Sequence, residues 1–334
     1  MERNEASTRA FMERGAAKMT LIFERFTEKY IEDAVKLALC EFEKERESCP
    51  DIPMEDHSDR IKGMLYWLST QPYGKVALCE GKLVGYMFFA GPWDGFFGNV
   101  KGVFCPLGGS AIAHGYPDRG RIASMLFAET AGEFVKDGVY SLAISRYAHD
   151  EEISKPLMLN GFGIRCSDAV CDITGTIPTA AVDSIHFEEL PYGEFLQVYD
   201  LQMGLVEHLA SSPIFYPTDM EQHKHWFDKE DMRVFVAKYG DRLIGFISVD
   251  VNGETFVSET QCMANICGAF FEKEYRGSGI AQALLSHICK VLRAEGVTHL
   301  GVDCETLNPT ALNFWGKYFT PYTYSFARRI DERI

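Results

Sequence analysis

One pattern occurs twice in this chain, in the same order and at nearly constant spacing. Leu-Val-Gly-Tyr around Gly85 returns as Leu-Ile-Gly-Phe around Gly245, 160 residues later. Ile122-Ala123 returns as Ile280-Ala281 after 158 residues, and Phe162 of Asn-Gly-Phe as Phe319 of Lys-Tyr-Phe after 157. Each repeated Gly sits in a hairpin-like pair of runs. The first is Lys75–Glu80 and Leu83–Ala90 about Gly81-Lys82; the second is Arg233–Lys238 and Leu243–Val251 about Tyr239–Arg242. A period this long is that of a duplicated domain, not of a short-repeat solenoid. The 334 residues suffice for two domains of ordinary size.

The stretch Gly175–Asp183 combines Gly, Pro, Thr and Ala with little apolar periodicity, and places the join near 180. The expected domains are 1–180, with a leading helix over 5–19, and 181–334. In the first, Thr20–Phe26 alternates as a strand does, and Tyr30–Glu47 and Asp59–Leu68 carry helical patterns. Each half then reads strand, one or two helices, three-strand meander, helix, strand, helix and final strand. That order predicts an α/β fold, a mixed central sheet with helices on its faces.

The composition narrows the function. Hydrophobic residues make up 46% and charged residues 24%, as in an ordered globular protein. The formal charge of −15 repels phosphate backbones and anionic lipid, which argues against nucleic-acid and membrane partners and suits a cationic amine. Ten cysteines form no CxxC, several lie in apolar stretches such as those around Cys267 and Cys289, and the pattern points to a reducing cytoplasm. The N-terminus is too polar for a signal peptide, and no apolar run approaches the ~18 residues of a membrane span. His223-Lys-His225 has no carboxylate or cysteine cluster beside it, so no metal is expected.

Chemistry concentrates in Asn265–Leu292. An apolar run, Asn265–Phe271, leads through Glu272–Tyr275 into Arg276-Gly-Ser-Gly-Ile-Ala281, and an amphipathic helix follows with Leu284, Leu285, Ile288, Val291 and Leu292 on one face. Gly277 and Gly279 let the backbone approach a ligand closely. The first N–H groups of the helix lack intrahelical partners and suit a pyrophosphate, and Arg276 adds a permanent charge.

In this context Arg276–Ala281 resembles the (R/Q)xxGx(G/A) acetyl-CoA signature of the GNAT acyltransferases. Asn308–Phe319, NPTALNFWGKYF, is similar to that family's NxxAxxFYxxxGF helix. The match covers about the last 150 residues, and the duplication extends it to the first half. The resemblance implies two tandem GNAT-like domains, each with a cleft where strands four and five splay apart. It implies pantetheine on the open edge of Ala269, Phe270 and Phe271, and pyrophosphate on the turn of Arg276, Gly277, Ser278, Gly279, Ile280 and Ala281. It also implies contact of Asn308 with acetyl-CoA and a strand N–H near Ala269 polarising the thioester. The implied reaction is acetyl transfer to a small-molecule amine within a ternary complex, catalysed by the C-terminal domain.

Two departures matter. Trp315 stands where the family's thiolate acid is usually a Tyr, so Tyr318, one helical turn on, becomes the candidate acid, with Tyr322 and Tyr324 behind it. For the base, Asp303 and Glu305 alternate with Val302 and Cys304 on one strand face, where paired carboxylates raise one another's pKa; Glu254 and Glu259 are lesser candidates. His208, before Ser211-Ser212-Pro213, borders the implied acceptor site.

In the first half, alignment on Ile122-Ala123 puts Asp118 at the Arg276 position and Arg121 at the Gly279 position. A carboxylate beside a pyrophosphate costs on the order of 1–4 kcal/mol at close range. That domain is therefore expected to be a degenerate copy that binds no acetyl-CoA. The alternative is a non-catalytic acyl-CoA-binding or protein-interaction module on the same fold. Acceptor, acyl chain length and oligomeric state are left open.

Overall fold

The computed structural model describes residues 7–11, 19–218 and 225–334. In chain order the elements open with β1 (Ser7–Phe11), β2 (Met19–Arg25), α1 (Ile31–Ser48), α2 (Ser58–Ser69), β3 (Tyr73–Cys79) and β4 (Lys82–Trp93). Next come β5 (Lys101–Cys105), β6 (Ser110–Ile112), α3 (Arg119–Lys136), β7 (Val139–Tyr147), α4 (Glu151–Leu159) and β8 (Gly163–Asp172). The second half holds β9 (Ile185–Leu190), α5 (Tyr199–Ala210), β10 (Met232–Tyr239), β11 (Arg242–Asp250), β12 (Met263–Phe271), α6 (Ile280–Ala294), β13 (His299–Glu305), α7 (Pro309–Trp315) and β14 (Thr320–Arg329). The expected leading helix is corrected: Ser7–Phe11 pairs antiparallel with β2, Ser7 opposite Phe23. A neighbouring strand edge supplies backbone partners that an isolated short helix lacks, and pairing overrides helical composition. The rest of the 5–19 span, apart from Met19, lies outside the described residues.

Two compact units emerge, and the chain passes between them more than once. The first comprises 1–50, 55–166 and 322–334; the second comprises 51–54 and 167–321. The sequence position 180 is not where the chain crosses. The chain enters the second unit within β8 and returns to the first near the start of β14. In the first unit the strand order is β1-β2-β3-β4-β5-β7-β14, with β6 also on β4. β14 runs antiparallel to β7, Phe326 opposite Ile144, and Phe326 is fully buried in that unit's core with Leu126, Phe134 and Leu142. In the second unit the order is β9-β10-β11-β12-β13-β8.

The helices follow the apolar spacing. α6 buries Ile280, Leu284, Leu285, Ile288 and Leu292 against its sheet, each worth about 1.5–3 kcal/mol. The expected join region lies along this helix: Arg293 donates to the Ile173 carbonyl at 3.0 Å and Ser286 to that of Ile177 at 3.1 Å. α1 buries Ile31, Ala34, Val35, Ala38 and Phe42, and with them the carboxylates of Glu41 and Glu45.

The repeated glycines have one physical reason in both units. Gly245 pairs across the sheet with Phe271, whose ring occupies the space a Cβ would take. Gly85 pairs with Ile112, whose Cδ1 would stand 2.7 Å from an added Cβ. Each glycine admits a large side chain from the far end of the strand beside it.

Candidate active site

The second unit's site begins where two strands part. β12 pairs parallel with β13 from Met263–His299 to Ile266–Val302 and no further. On its other side β12 pairs with β11, and the register slips so that Val249 faces Ile266 while Ser248 faces Gly268. Cys267 is thus the extra residue of a β-bulge, which bends the strand and turns its end away. Beyond it Gly268–Phe271 stays on β11 and shows its other edge to a wedge. Backbone groups on such an edge seek partners.

The wedge opens into a cavity of about 440 Å³, bounded by Ala269, Phe270 and Phe271 of β12 and by residues of α5 and α7. Arg276, Gly277, Ala281 and Asn308 also line it, so seven of the ten expected cofactor residues share one cavity. Of the other three, Ile280 is buried in the core beneath, and Ser278 and Gly279 complete the turn outside the cavity walls.

The turn has the shape the sequence predicts. Gly277 has φ +76° and Gly279 φ +87°, conformations that cost L side chains about 1–2 kcal/mol. An added Cβ at either would meet open space, so the backbone faces an empty cradle. Gly279 is the residue before α6 and gives it no side-chain cap, leaving the first N–H groups of the helix to a ligand. Arg276 folds back: its Nε donates to the Phe271 carbonyl at 2.8 Å and its guanidinium lies 5.0 Å from the Phe270 ring centroid. These features fit a pyrophosphate and a pantetheine arm.

Asn308 is buried at the head of α7, where its Oδ1 accepts the Ala311 N–H at 3.2 Å. His208, at the end of α5, brings Nε2 to 3.4 Å from the same oxygen. Trp315 lines the cavity and packs into the core. Tyr318 stacks edge-on against Phe314, with ring centroids 5.4 Å apart, and is not among the cavity walls. Burial pushes its hydroxyl pKa up. His223 lies outside the described residues.

Carboxylates gather at the point of parting. The Ile266–Val302 pair is the last of the β12–β13 ladder, so the residues just beyond it are Cys267 and Asp303. Burial raises the Asp303 pKa to about 7, with the Glu254 and Glu305 charges adding to it. More than a third of Asp303 still meets solvent, which moderates the rise; like Glu305, it stands beside the ladder's end and is not among the residues that line the cavity. Asp168 of β8, 8% exposed, is raised well above the usual carboxylate range by burial, then by Asp303 and Glu254. Glu305 stands two residues beyond Asp303 on the same strand face, half-buried. Asp168 escaped the sequence reading because it precedes 180 and was counted with the first domain. Its signal is a carboxylate directly before the apolar run Ala169–Cys171.

The matching region of the first unit is closed from within. Asp118 accepts the Arg121 N–H at 3.2 Å, capping α3 where the second unit has a bare glycine. β5 runs parallel to β7 as β12 runs parallel to β13, and β6, which follows β5, pairs with β4, but the other edge of β6 is taken. The Ile112 N–H donates to Glu41 at 2.8 Å, the Ile112 carbonyl accepts Arg119 Nε at 3.3 Å, and the Ser110 carbonyl accepts Arg146 Nη1 at 2.6 Å. Arg119 and Arg146 are themselves buried and ion-paired with Glu41 and Asp150.

Comparison with known proteins agrees with this geometry. Residues 198–319 match the model of the acetyltransferase (GNAT) family. The chain is similar in fold to a GCN5-related N-acetyltransferase from Sphaerobacter thermophilus, at 13% identity, over 92% of this chain and 95% of that one, with a TM-score of 0.59. It is also similar to a GCN5-related glucosamine N-acetyltransferase region of a fungal multi-domain GH3 beta-N-acetylglucosaminidase. That match has 18% identity and a TM-score of 0.55, and it covers 93% of this chain but only 38% of the longer one. At these identities the likeness is one of fold. No curated protein matches the sequence. Among the described residues, no group of three His, Cys, Asp or Glu side chains is placed to hold a metal ion, and no helix is long and apolar enough to cross a membrane.

Proposed function

We propose, because residues 198–319 match the model of the acetyltransferase (GNAT) family, that the second unit moves an acetyl group from acetyl-CoA to a small-molecule amine by direct attack. The observation that carries this reading is the parting of β12 from β13 after Ile266 and Val302, with Asp303 at the apex and the glycine cradle at the far end. Acetyl-CoA supplies the activated acyl group. The N–H groups around Gly277–Ala281 and the charge of Arg276 hold its pyrophosphate. The free edge of Ala269–Phe271 holds the pantetheine amides, and a strand N–H near Ala269 polarises the thioester oxygen.

The amine arrives protonated and must lose a proton before its lone pair attacks. Asp303, with a pKa near neutrality and Asp168 and Glu254 beside it, accepts that proton; Glu305 is the neighbouring alternative. The C–N bond then forms as the C–S bond breaks. The sequence nominates Tyr318 to return a proton to the thiolate; its place beside Phe314 leads us to leave that step to solvent in the open wedge. His208 and the acidic apex select a cationic acceptor. The first unit, its edge occupied by Glu41, Arg119 and Arg146, binds no acetyl-CoA.

Calorimetric titration of acetyl-CoA into wild type, Gly279→Arg and Arg121→Gly, followed by an amine screen, tests this. One site, lost in Gly279→Arg and unchanged in Arg121→Gly, is expected. No binding in wild type would sink the reading. Binding without turnover on any amine would favour an acyl-CoA-binding module, the reading to which Trp315 points.

A further inference from the structure

The first unit holds a cavity of about 360 Å³ that the transferase reading does not use. It lies between the second half of α1 and the segment joining β7 to α4. That volume is at the lower end of the range for small-molecule sites. Six of its lining side chains are carboxylates, and two, Lys44 and Arg119, are permanent cations. Most of these carboxylates are matched: Arg119 and Arg146 pair with Glu41 and Asp150, Arg119 also reaches Glu152, and Lys44 pairs with Glu47.

Glu45 differs. Its side chain is 2% exposed, and it is held by His149, through the backbone N–H at 3.2 Å and the ring Nδ1 at 2.7 Å. A buried carboxylate without a fixed full countercharge is costly. A second observation points to a ligand. Tyr147 is 2% exposed and lines the same cavity, yet its hydroxyl has no hydrogen-bond partner among the described residues. Glu41 and Glu45 lie within electrostatic reach of that hydroxyl, as does Arg146, whose charge is met by Glu41 and Asp150. A buried phenol oxygen left unpaired beside carboxylates is suited to accept from a cationic donor.

We propose that this cavity is a binding site for a short organic polyamine, one ammonium of which donates to the Tyr147 hydroxyl and the Glu45 carboxylate. A second ammonium then meets Glu151 and Glu152 at the mouth, where both are exposed. An ammonium presents three donors, which matches separated acceptors better than a bare ion does. No three-ligand set for a metal ion occurs among the described residues.

The test is calorimetric titration of spermidine into the full-length protein at 0.15 M salt. Wild type should show one saturable site. Tyr147→Phe and Glu45→Gln, which keep the side-chain shape, should weaken it several-fold and about tenfold or more, with unchanged thermal transitions. Gly279→Arg should leave spermidine affinity intact while removing acetyl-CoA binding, so this site and the cofactor site fail separately. Spermidine affinity unchanged in both Tyr147→Phe and Glu45→Gln, or lost instead in Asp303→Asn, would overturn the proposal. So would equal saturation by Mg²⁺ alone.

Discussion

Glu41 Oε1 accepts the backbone N–H of Ile112 across 2.8 Å, from a helix to a strand edge 71 residues away. The same carboxylate pairs with the buried guanidinium groups of Arg119 and Arg146. Glu41→Gln leaves those cations short of a countercharge. Breaking a buried pair of this kind costs about 3–5 kcal/mol. Urea unfolding of the full chain should show that loss in the transition of the first unit. The variant should gain no acetyl-CoA site, because Asp118 still caps the turn.

Gly279→Ala should weaken acetyl-CoA binding at least tenfold. The backbone at φ +87° strains any Cβ by about 1–2 kcal/mol, and the methyl group fills the cradle. Gly296, after α6, has φ +92° and faces open space as well. Gly296→Ala therefore carries comparable strain but should keep its acetyl-CoA affinity. Titration of the two variants side by side separates strain from occupancy.

Asp303 and Asp168 both have raised pKa values, Asp303 to about 7. Unfolded aspartates titrate near 3.9. Between about pH 4 and pH 7 the folded chain therefore holds more protons than the unfolded one, and stability falls as pH rises through that window. Asp168→Asn should flatten this fall, seen as a smaller difference between urea midpoints at pH 5 and pH 8. In turnover, Asp303→Asn should lower kcat/KM about 10²–10⁴-fold. Glu254→Gln should move the acidic limb of the pH profile toward lower pH, since it removes a charge that lifts Asp303. A profile that ignores both substitutions would remove Asp303 from the base role.

Tyr318→Phe should change kcat less than about threefold, because the ring packs on Phe314 away from the cavity walls. A loss of about 10²-fold or more would restore the acid role that the sequence suggests. Asn308→Ala should cost about 0.5–2 kcal/mol through the lost cap of α7. It should also weaken acetyl-CoA binding in the same titration.

The cofactor half of the site was legible because its physics is local. The spacing of Arg276, Gly277 and Gly279 before an amphipathic run fixes turn, helix start and open backbone within a few residues. The apex was less legible because β8 and β13 are about 130 residues apart in sequence, so nothing local links Asp168 to Asp303. The assumption of a single join near 180 hid the relationship. The strand at Ser7–Phe11 was hidden for another reason: its composition is helical, and pairing with the neighbouring edge of β2 overrides that preference. The closed edge of β6 left a readable trace: Glu41 and Glu45 interrupt the apolar face of α1 at core positions. Carboxylates there demand buried partners, and Arg119 and Arg146 supply them for Glu41.

The residues from Tyr322 onward complete the first unit and not the one that precedes them. During synthesis the first unit therefore waits for residues made after nearly all of the second unit. Its core stays open until Tyr322 and Phe326 leave the ribosome, while nearly all of the second unit is already available to fold. A gene fragment ending near 180 would yield a first unit lacking a core strand. The order in which the two halves are encoded is thus not the order in which they can be finished.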